Sequence, residues 1–364
     1  MLLSSLQEHY TSRMLFKKEM SAKGFELDLY DIHDGKMLHN LTQHSQWNRK
    51  YHPFLLCKCK KGQAIKNPTF HKCNLISDDE YSALCNKSAS KFLQAYTNEY
   101  NAVNVEKHRD WADKDNFGVT HFGINPSLLP LSSIGFDNMH TRFSNVRSIW
   151  TYVRDYVESY GYNLQNKFST LLKLQIGEYY IDCHDTGKSL AVMHGEQIDS
   201  FLDLIPKIAD FLKVNFEPTE QLNNILHLLQ YYPPIDSFLR ISQVIDTNLS
   251  SENQMKQIKQ YEEDFKVFKS NLLCYQKAAS ETFLTRQFQG DRETFCSHVL
   301  FCYYPQMIQR IWDKHKMGIG IFTLQGFERR NKESKTAAKR FYNGRHNVCC
   351  QIINRVFDSF YYSE

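Results

Sequence analysis

SHVLFCYYP at Ser297–Pro305 leads to MGIGIF at Met317–Phe322 and then to QGFERRNK at Gln325–Lys332. This order predicts an apolar helix, a short strand flanked by glycines, and a basic helix that carries one glutamate, Glu328. A single carboxylate among so many cations is either a solvated surface residue or a ligand of a metal ion that acts on a polyanionic substrate. The rest of the sequence has to decide between these two interpretations.

Length and composition limit the fold classes and functions that are open to the chain. A chain of 364 residues, 42% of them hydrophobic, can bury a sizeable core and is expected to form two subdomains. The formal net charge of +4 is compatible with nucleic-acid binding but is not diagnostic of it. Ten cysteines without an apolar leader predict an intracellular protein, nuclear or otherwise, whose cysteines are thiols or metal ligands. No apolar run approaches the roughly 18–20 residues of a membrane helix, so we expect a soluble protein that does not bind membranes.

Periodicity predicts an α+β protein that is predominantly helical. Alternation of apolar and polar residues predicts a strand at Gly24–Ile32, which ends close to Asp34. We expect the few strands to lie near the two ends of the chain. Helical spacing predicts the remaining elements at residues 1–23, 88–111, 142–158, 198–213, 220–231, 251–269 and 348–361.

The most specific local pattern is Cys57-Lys58-Cys59 followed by His71-Lys72-Cys73. Two pairs of thiolate or imidazole ligands, joined by a loop long enough to return, can close a tetrahedral zinc site. Buried cysteines with an incidental histidine are the alternative. His298 could replace one of these ligands from across the fold, or could be a core histidine that bonds to a backbone carbonyl.

A second pattern joins Asp34, just past a strand, with Glu328, in the first turn of a basic helix. Two carboxylates brought together could hold Mg²⁺ or Mn²⁺, which prefer oxygen ligands. The neighbouring cations would then contact phosphates, and Lys332, Lys335 and Lys339 fall along one stripe of the helix. The full set of predicted phosphate ligands is Arg329, Arg330, Lys332, Lys335, Lys339 and Arg340. The alternatives are a turn-forming aspartate and a glutamate favoured by the helix dipole.

The order of elements from Gly24 to Tyr362 resembles the carboxy-terminal half of a Transib-type transposase. This is the group from which the RAG recombinase catalytic chain derives, and it has relatives in marine invertebrates. The block from His298 to Phe341 carries the resemblance. It implies a partial RNase-H-like core with few strands, a zinc-binding module and a large helical insertion. It also implies a second metal-binding aspartate at Asp34, a catalytic glutamate at Glu328, and zinc ligands at Cys57, Cys59 and His298.

The departures from the family pattern concern both metal sites. The cysteines are spaced C-x-C rather than C-x-x-C, and Tyr303 stands where a second zinc-binding histidine is expected. Local ligands such as His71 and Cys73 would then rebuild the site. The first catalytic aspartate has no counterpart, because only about two dozen residues precede the first strand. The acidic triad is therefore incomplete, unless a residue such as Asp137 completes it.

This interpretation divides the chain into four parts. Residues 1–50 form a partial RNase-H-like strand and helix, 51–90 the zinc-binding module, 91–290 the helical insertion domain, and 291–364 the helices that return to the core. The favoured function is a transposase-derived protein that binds double-stranded DNA with impaired catalysis, and the resemblance implies a homodimer as one possible assembly. One alternative is an active DDE-type metal nuclease or strand transferase completed by another carboxylate or chain. The other is a zinc-stabilised helical interaction module with no nucleic-acid role.

Overall fold

The computed structural model describes residues 2–24, 31–33, 57–60, 75–96, 102–120, 130–176, 181–184, 187–190, 198–284 and 294–323. The chain divides into two compact units, Met1–Phe322 and Thr323–Glu364. The described residues belong to the first unit, apart from Thr323 at the start of the second. The helices and strands of the described ranges are therefore those of the first unit.

Helices make up most of the described chain, which confirms the prediction of a predominantly helical protein. They are α1 (Leu2–Ala22), α2 (Asp78–Tyr96), α3 (Ala102–Asp115), α4 (Asn138–Glu158), α5 (Tyr162–Ile176), α6 (Ile198–Asn215), α7 (Glu220–Leu239), α8 (Ser251–Leu284), α9 (Phe295–His298) and α10 (Tyr304–His315). None of the helices in these ranges is both long and apolar enough to cross a membrane.

The described strands form two small sheets. β1 (Asp31–His33) and β2 (Ile134–Phe136) run parallel, with Asp31 opposite Ile134 and His33 opposite Phe136. β3 (Ile181–His184) and β4 (Gly187–Leu190) form an antiparallel hairpin. The prediction that strands lie near the two ends was wrong, because β2, β3 and β4 are in the middle of the chain. Strands of three or four residues are too short for periodicity to detect.

The central helix of the core is α4, and its position follows from its sequence. Val146, Ile149, Trp150, Val153 and Val157 recur at helical spacing, and all five are fully or almost fully buried. Burial of each of these side chains contributes about 1.5–3 kcal/mol, which is enough to fix the face of the helix that meets the core. The predicted helix at residues 142–158 is confirmed, and it begins one turn earlier.

Helices α7 and α8 pack against each other through aromatic side chains. The Phe238 ring lies 4.7 Å from Phe268 and 5.2 Å from Tyr261, and Tyr261 lies 4.4 Å from Trp312 on α10, measured between ring centroids. The predicted helix at 251–269 is confirmed and continues to Leu284, and it is part of the core although it carries charges of both signs. Its aromatic residues, more widely spaced than its charges, are buried.

The helical run from Phe295 to His315 contains an irregularity. Thr294 and Ser297 form a capping box at its start, and Val299–Tyr303 form a π-helix between α9 and α10. Such π-helical turns are rare and are found frequently at functional sites. The run ends at Lys316, which adopts the left-handed conformation with φ of 53°. The predicted apolar helix is confirmed, with an irregularity that sequence periodicity did not indicate.

The glycines of Met317–Phe322 are required by a close backbone approach rather than by a strand. Residues Ile319–Ile321 form a 3₁₀ turn, so the predicted short strand was wrong. The amide of Gly318 donates to Ser242 O (2.9 Å), and that of Gly320 donates to Ile241 O (2.8 Å). A Cβ atom on Gly318 would lie 2.1 Å from Ile241 O. The segment therefore lies against the backbone of Ile241 and Ser242, just after α7, and only glycine fits at positions 318 and 320.

Two other boundaries differ from the sequence predictions. The single helix expected at residues 88–111 is two helices, because α2 ends at Tyr96 and α3 begins at Ala102. Helix α7 continues past the expected end at Tyr231, through Pro233 and Pro234, to Leu239. Each proline inside a helix costs about 3 kcal/mol. Burial of the apolar side chains around the two prolines offsets that cost.

Candidate functional site

The parallel pairing of β1 and β2 defines one edge of the small sheet. His33 and Phe136 are opposite each other, so both strands end at the same edge. In the sequence, Asp34 follows His33 and Asp137 follows Phe136. Ligands bind preferentially outside the carboxyl ends of parallel strands, so this edge is the candidate site. Asp34 itself lies outside the described residues.

Asp137 is buried at this edge, with 3% of its surface exposed, and it caps α4. Its Oδ1 accepts a hydrogen bond from Met139 N (3.3 Å), and its Oδ2 accepts one from His140 N (3.2 Å). These bonds satisfy two of the amides that the first turn of a helix leaves without partners. The carboxylate is also favoured by the positive end of the helix dipole.

The imidazole of His140 is the second polar group of the first turn of α4. Its Nδ1 forms a short contact with Asp137 Oδ2. The side chain of His140 is 43% exposed, whereas that of Asp137 is 1% exposed. A buried carboxylate thus holds a histidine ring that reaches the surface.

Asn138, in the first turn of α4, forms hydrogen bonds with two other parts of the fold. Its amide donates to Phe322 O (2.8 Å), and its side-chain Nδ2 donates to Leu239 O. Phe322 is the last residue of the first unit, and Thr323 begins the second. The first turn of α4 therefore lies beside the point at which the chain leaves the first unit.

A buried ion-pair network fixes α4 to α7. Asp236 on α7 is 2% exposed and accepts hydrogen bonds from Arg142 Nε (2.8 Å), Arg142 Nη2 (3.1 Å) and Arg240 Nε (2.6 Å). Arg240 also pairs with Asp199 on α6. Because Arg142 is two residues past His140, the network fixes the first turns of α4 against α7.

Two buried groups near the first turns of α4, the Cys296 thiol and the Tyr304 hydroxyl, are uncharged at neutral pH. Burial raises the pKa of the Cys296 thiol to about 11, in spite of a hydrogen bond with Ser144 that lowers it. Burial also raises the pKa of Tyr304 well above its usual range, and the nearby Asp137 carboxylate adds to the shift.

The structure places part of the predicted zinc module. Cys57 is fully buried and pairs through an isolated bridge with Leu75, and Cys59 is partly buried. The Cys59 amide donates to Cys57 Sγ (3.3 Å), a bond that would also stabilise a thiolate ligand. Cys57 is disulfide-bonded, and a sulfur in that state cannot ligate zinc at the same time. The expectation that the cysteines are only thiols or metal ligands is therefore wrong at this residue, and the zinc site remains a prediction for the reduced chain.

His298 lies at the carboxyl end of α9 and is fully buried. Its ring packs edge-on against Tyr303, with 5.4 Å between centroids, and Tyr303 stacks on Phe136 of β2 at 4.4 Å. These packed rings thus connect the π-helix to β2, the strand that ends at the candidate edge. Both predicted interpretations of His298, zinc ligand and core histidine, are compatible with this packing.

The remaining predicted site residues lie outside the described part of the chain. They are His71 and Cys73 of the zinc module, the acidic residues Asp34 and Glu328, and the cations Arg329, Arg330, Lys332, Lys335, Lys339 and Arg340. Among the residues that the structure does describe, no group of three or more His, Cys, Asp or Glu side chains could hold a metal ion.

Sequence reasoning named Asp137 only as a possible substitute carboxylate and missed His140. The detectable signal was the spacing Asp137-x-x-His140 at the start of a helix, since side chains three residues apart lie on one face. No model of a known protein family matches the chain, and no curated protein matches it either.

Proposed function

We propose that this chain is a transposase-derived protein that binds double-stranded DNA and carries a divalent-metal site with impaired catalysis. The observation that supports the proposal best is the parallel pairing of β1 and β2. These strands end side by side at His33 and Phe136, and they lead in sequence to Asp34 and Asp137.

In the sequence, Asp34 follows His33 directly and Asp137 follows Phe136 directly. Because His33 and Phe136 are partners in the parallel sheet, both aspartates continue chain that leaves the same edge. The assignment of Glu328 to the same site rests on the transposase resemblance.

Asp34 and Glu328 would hold the ion, as hard oxygen ligands suited to Mg²⁺ or Mn²⁺. Such an ion, when bound, polarises a phosphodiester and makes a nucleophile of its water. Asp137 is a poor third ligand. Its carboxylate has about four lone-pair sites, and its three contacts with Met139 N, His140 N and His140 Nδ1 occupy most of them. This use of Asp137 as a helix cap is the physical reason for proposing impaired catalysis.

The basic residues that follow Glu328 would bind DNA phosphates without reading sequence. A structural Zn²⁺ held by Cys57 and Cys59 with ligands from His71, Cys73 and His298 belongs to the same proposal. It requires Cys57 to be reduced.

The proposal is tested by the salt dependence of binding to an arbitrary DNA duplex. Replacing Lys332, Lys335 and Lys339 together by Gln removes three phosphate contacts, so the slope of log K against log salt should fall by about 2–3. The matched control is replacement of Lys256, Lys259 and Lys266 on α8, a charge-equivalent change remote in sequence that should leave the slope unchanged. Equal slopes for wild type and the first variant would refute DNA binding through this helix.

The same preparation separates impaired from complete catalysis. We expect nicking of supercoiled DNA with Mg²⁺ or Mn²⁺ to be absent or very slow. Rapid nicking that disappears in Glu328→Gln would replace our proposal with the active metal nuclease.

A further inference from the structure

We propose that a cavity of about 400 Å³ beside β2 binds a small apolar molecule that carries an amino group, and that Asp78 pairs with this group. In the part of the chain that the structure describes, the lining residues come from the segments 75–78, 131–136 and 303–310. These segments are the start of α2, the stretch that contains β2, and the junction of the π-helix with α10. The inference is independent of DNA binding and of the proposed metal ion, because it uses neither.

The walls of the cavity are apolar. Leu131, Ile134 and Phe136 line it from the segment that contains β2. Tyr303 and Met307 line it from the π-helix and α10, and each of these five residues is at most 8% exposed. Small-molecule sites are typically cavities of about 300–1,000 Å³ with walls of this kind and a few polar groups. The size and the lining of the cavity therefore fit a small molecule with an apolar body.

The π-helix forms part of the cavity wall. Its last residue, Tyr303, lines the cavity, and so does Gln306 in the first turn of α10. The side chain of Gln306 is fixed there, because its Nε2 donates a hydrogen bond to Cys302 O (3.0 Å). An irregularity of a kind that is found frequently at functional sites thus contributes directly to this cavity.

The carboxylate of Asp78 is the charge in the lining that a ligand can pair with. Its Oδ1 accepts a hydrogen bond from Leu131 N (2.8 Å), and among the described residues no other donor contacts the side chain. A carboxylate has about four acceptor sites on its two oxygens. Arg310 is the only cation in the described lining, and it already has an interaction within the protein. The charge that calls for a partner is therefore negative, and an ammonium group complements it.

The folding of α2 does not require the charge of Asp78. Ser77 and Glu80 cap the helix reciprocally, because Glu80 N donates to Ser77 Oγ (3.2 Å) and Ser77 N donates to Glu80 Oε2 (3.3 Å). The hydrogen bond from Leu131 N needs one acceptor oxygen, which an amide side chain would also supply. Neither helix capping nor the contact with Leu131 thus accounts for a carboxylate at this position.

The test compares three probes that share a phenyl ring: phenethylamine, which is a cation, phenethyl alcohol, which is uncharged, and hydrocinnamate, which is an anion. Binding to the full chain, without DNA or metal, is followed through the signals of ¹³C-methyl methionine. Met307 lines the cavity, whereas Met255 on α8 is 52% exposed and lies outside the lining. We expect phenethylamine at millimolar concentration to shift the Met307 signal and to leave that of Met255 unchanged. The alcohol should bind about tenfold more weakly, because it cannot form an ion pair with Asp78.

Asp78→Asn removes the charge and keeps an acceptor for Leu131 N, so the preference for the amine over the alcohol should disappear. The matched control is Asp79→Asn, which removes an exposed charge from the same turn of α2 outside the lining and should keep the preference. An unchanged preference in a folded Asp78→Asn variant would overturn the inference.

The wild-type comparison decides the question without any variant. Absence of a Met307 shift with phenethylamine, equal affinities for the amine and the alcohol, or a preference for hydrocinnamate would each refute binding of an amine at Asp78. Because DNA and metal are absent from these measurements, such a result would leave the proposed function unaffected.

Discussion

Replacing the buried carboxylate of Asp236 is the sharpest test of how the first turns of α4 are fixed to α7. We consider Asp236→Asn, which keeps the shape of the side chain and removes its charge. The change breaks a pair in which Asp236 is 2% exposed and the Arg142 side chain is 11% exposed. The amide group of Asn would also direct a donor at one of the two guanidinium groups.

The magnitude follows from what is left unpaired. Removing one partner of a buried ion pair costs about 3–5 kcal/mol, because the remaining charge stays buried. Arg142 Nη2 still lies 3.9 Å from Asp199, whose side chain is 63% exposed. Such an exposed pair returns no more than about 1 kcal/mol. We therefore expect Asp236→Asn to lower the free energy of unfolding by about 3 kcal/mol.

The assay is urea unfolding followed by circular dichroism and tryptophan fluorescence, with Asp199→Asn as the control. Asp199 pairs with the same arginines from an exposed position, so its replacement should cost less than about 1 kcal/mol. An Asp236→Asn variant within 1 kcal/mol of wild type would refute the reasoning. Equal losses in the two variants would show that burial does not decide the strength of this network.

Three further outcomes are expected. Gly318→Ala should destabilise the protein by at least about 2 kcal/mol in the same unfolding assay, because its Cβ would lie 2.1 Å from a backbone oxygen, and a loss below 0.5 kcal/mol would contradict this. Burial lowers the pKa of His108, so the unfolded chain takes up a proton first and stability should fall as pH drops below about 6.5. His108→Gln should flatten that slope in unfolding curves from pH 7.5 to 5, and an unchanged slope would count against it. Reduced protein should release one equivalent of zinc to a chelator and lose thermal stability as it does so, whereas Cys57→Ser should bind none.

The parts of the fold that sequence could predict are those with long periodic patterns. The face of α4 repeats its apolar residues over about three turns, and the structure buries that face as expected. The Gly318 and Gly320 pair misled the same reasoning. Glycines beside apolar residues predict a strand, but the chain needs them because a neighbouring backbone approaches too closely for any side chain.

The candidate site was predictable only in outline. Asp137 could be named from its residue type, but its position beside the end of β1 depends on a pairing between strands about 100 residues apart. Such strands are three residues long and carry no usable period. The contact of His140 with a buried carboxylate depends on the burial of Asp137, which is a tertiary property. The local sequence gives the spacing of Asp137 and His140, but it does not give the burial of Asp137.

The proposed function depends most on the claim that Asp34 and Glu328 hold one divalent ion. Fe²⁺ bound in place of Mn²⁺, with ascorbate and peroxide, cleaves the backbone next to its ligands, and the fragments can be assigned by mass spectrometry. We predict cleavage near residue 34 and near residue 328 in the same sample, with both suppressed by excess Mn²⁺. Cleavage at one of these positions without the other would contradict the claim.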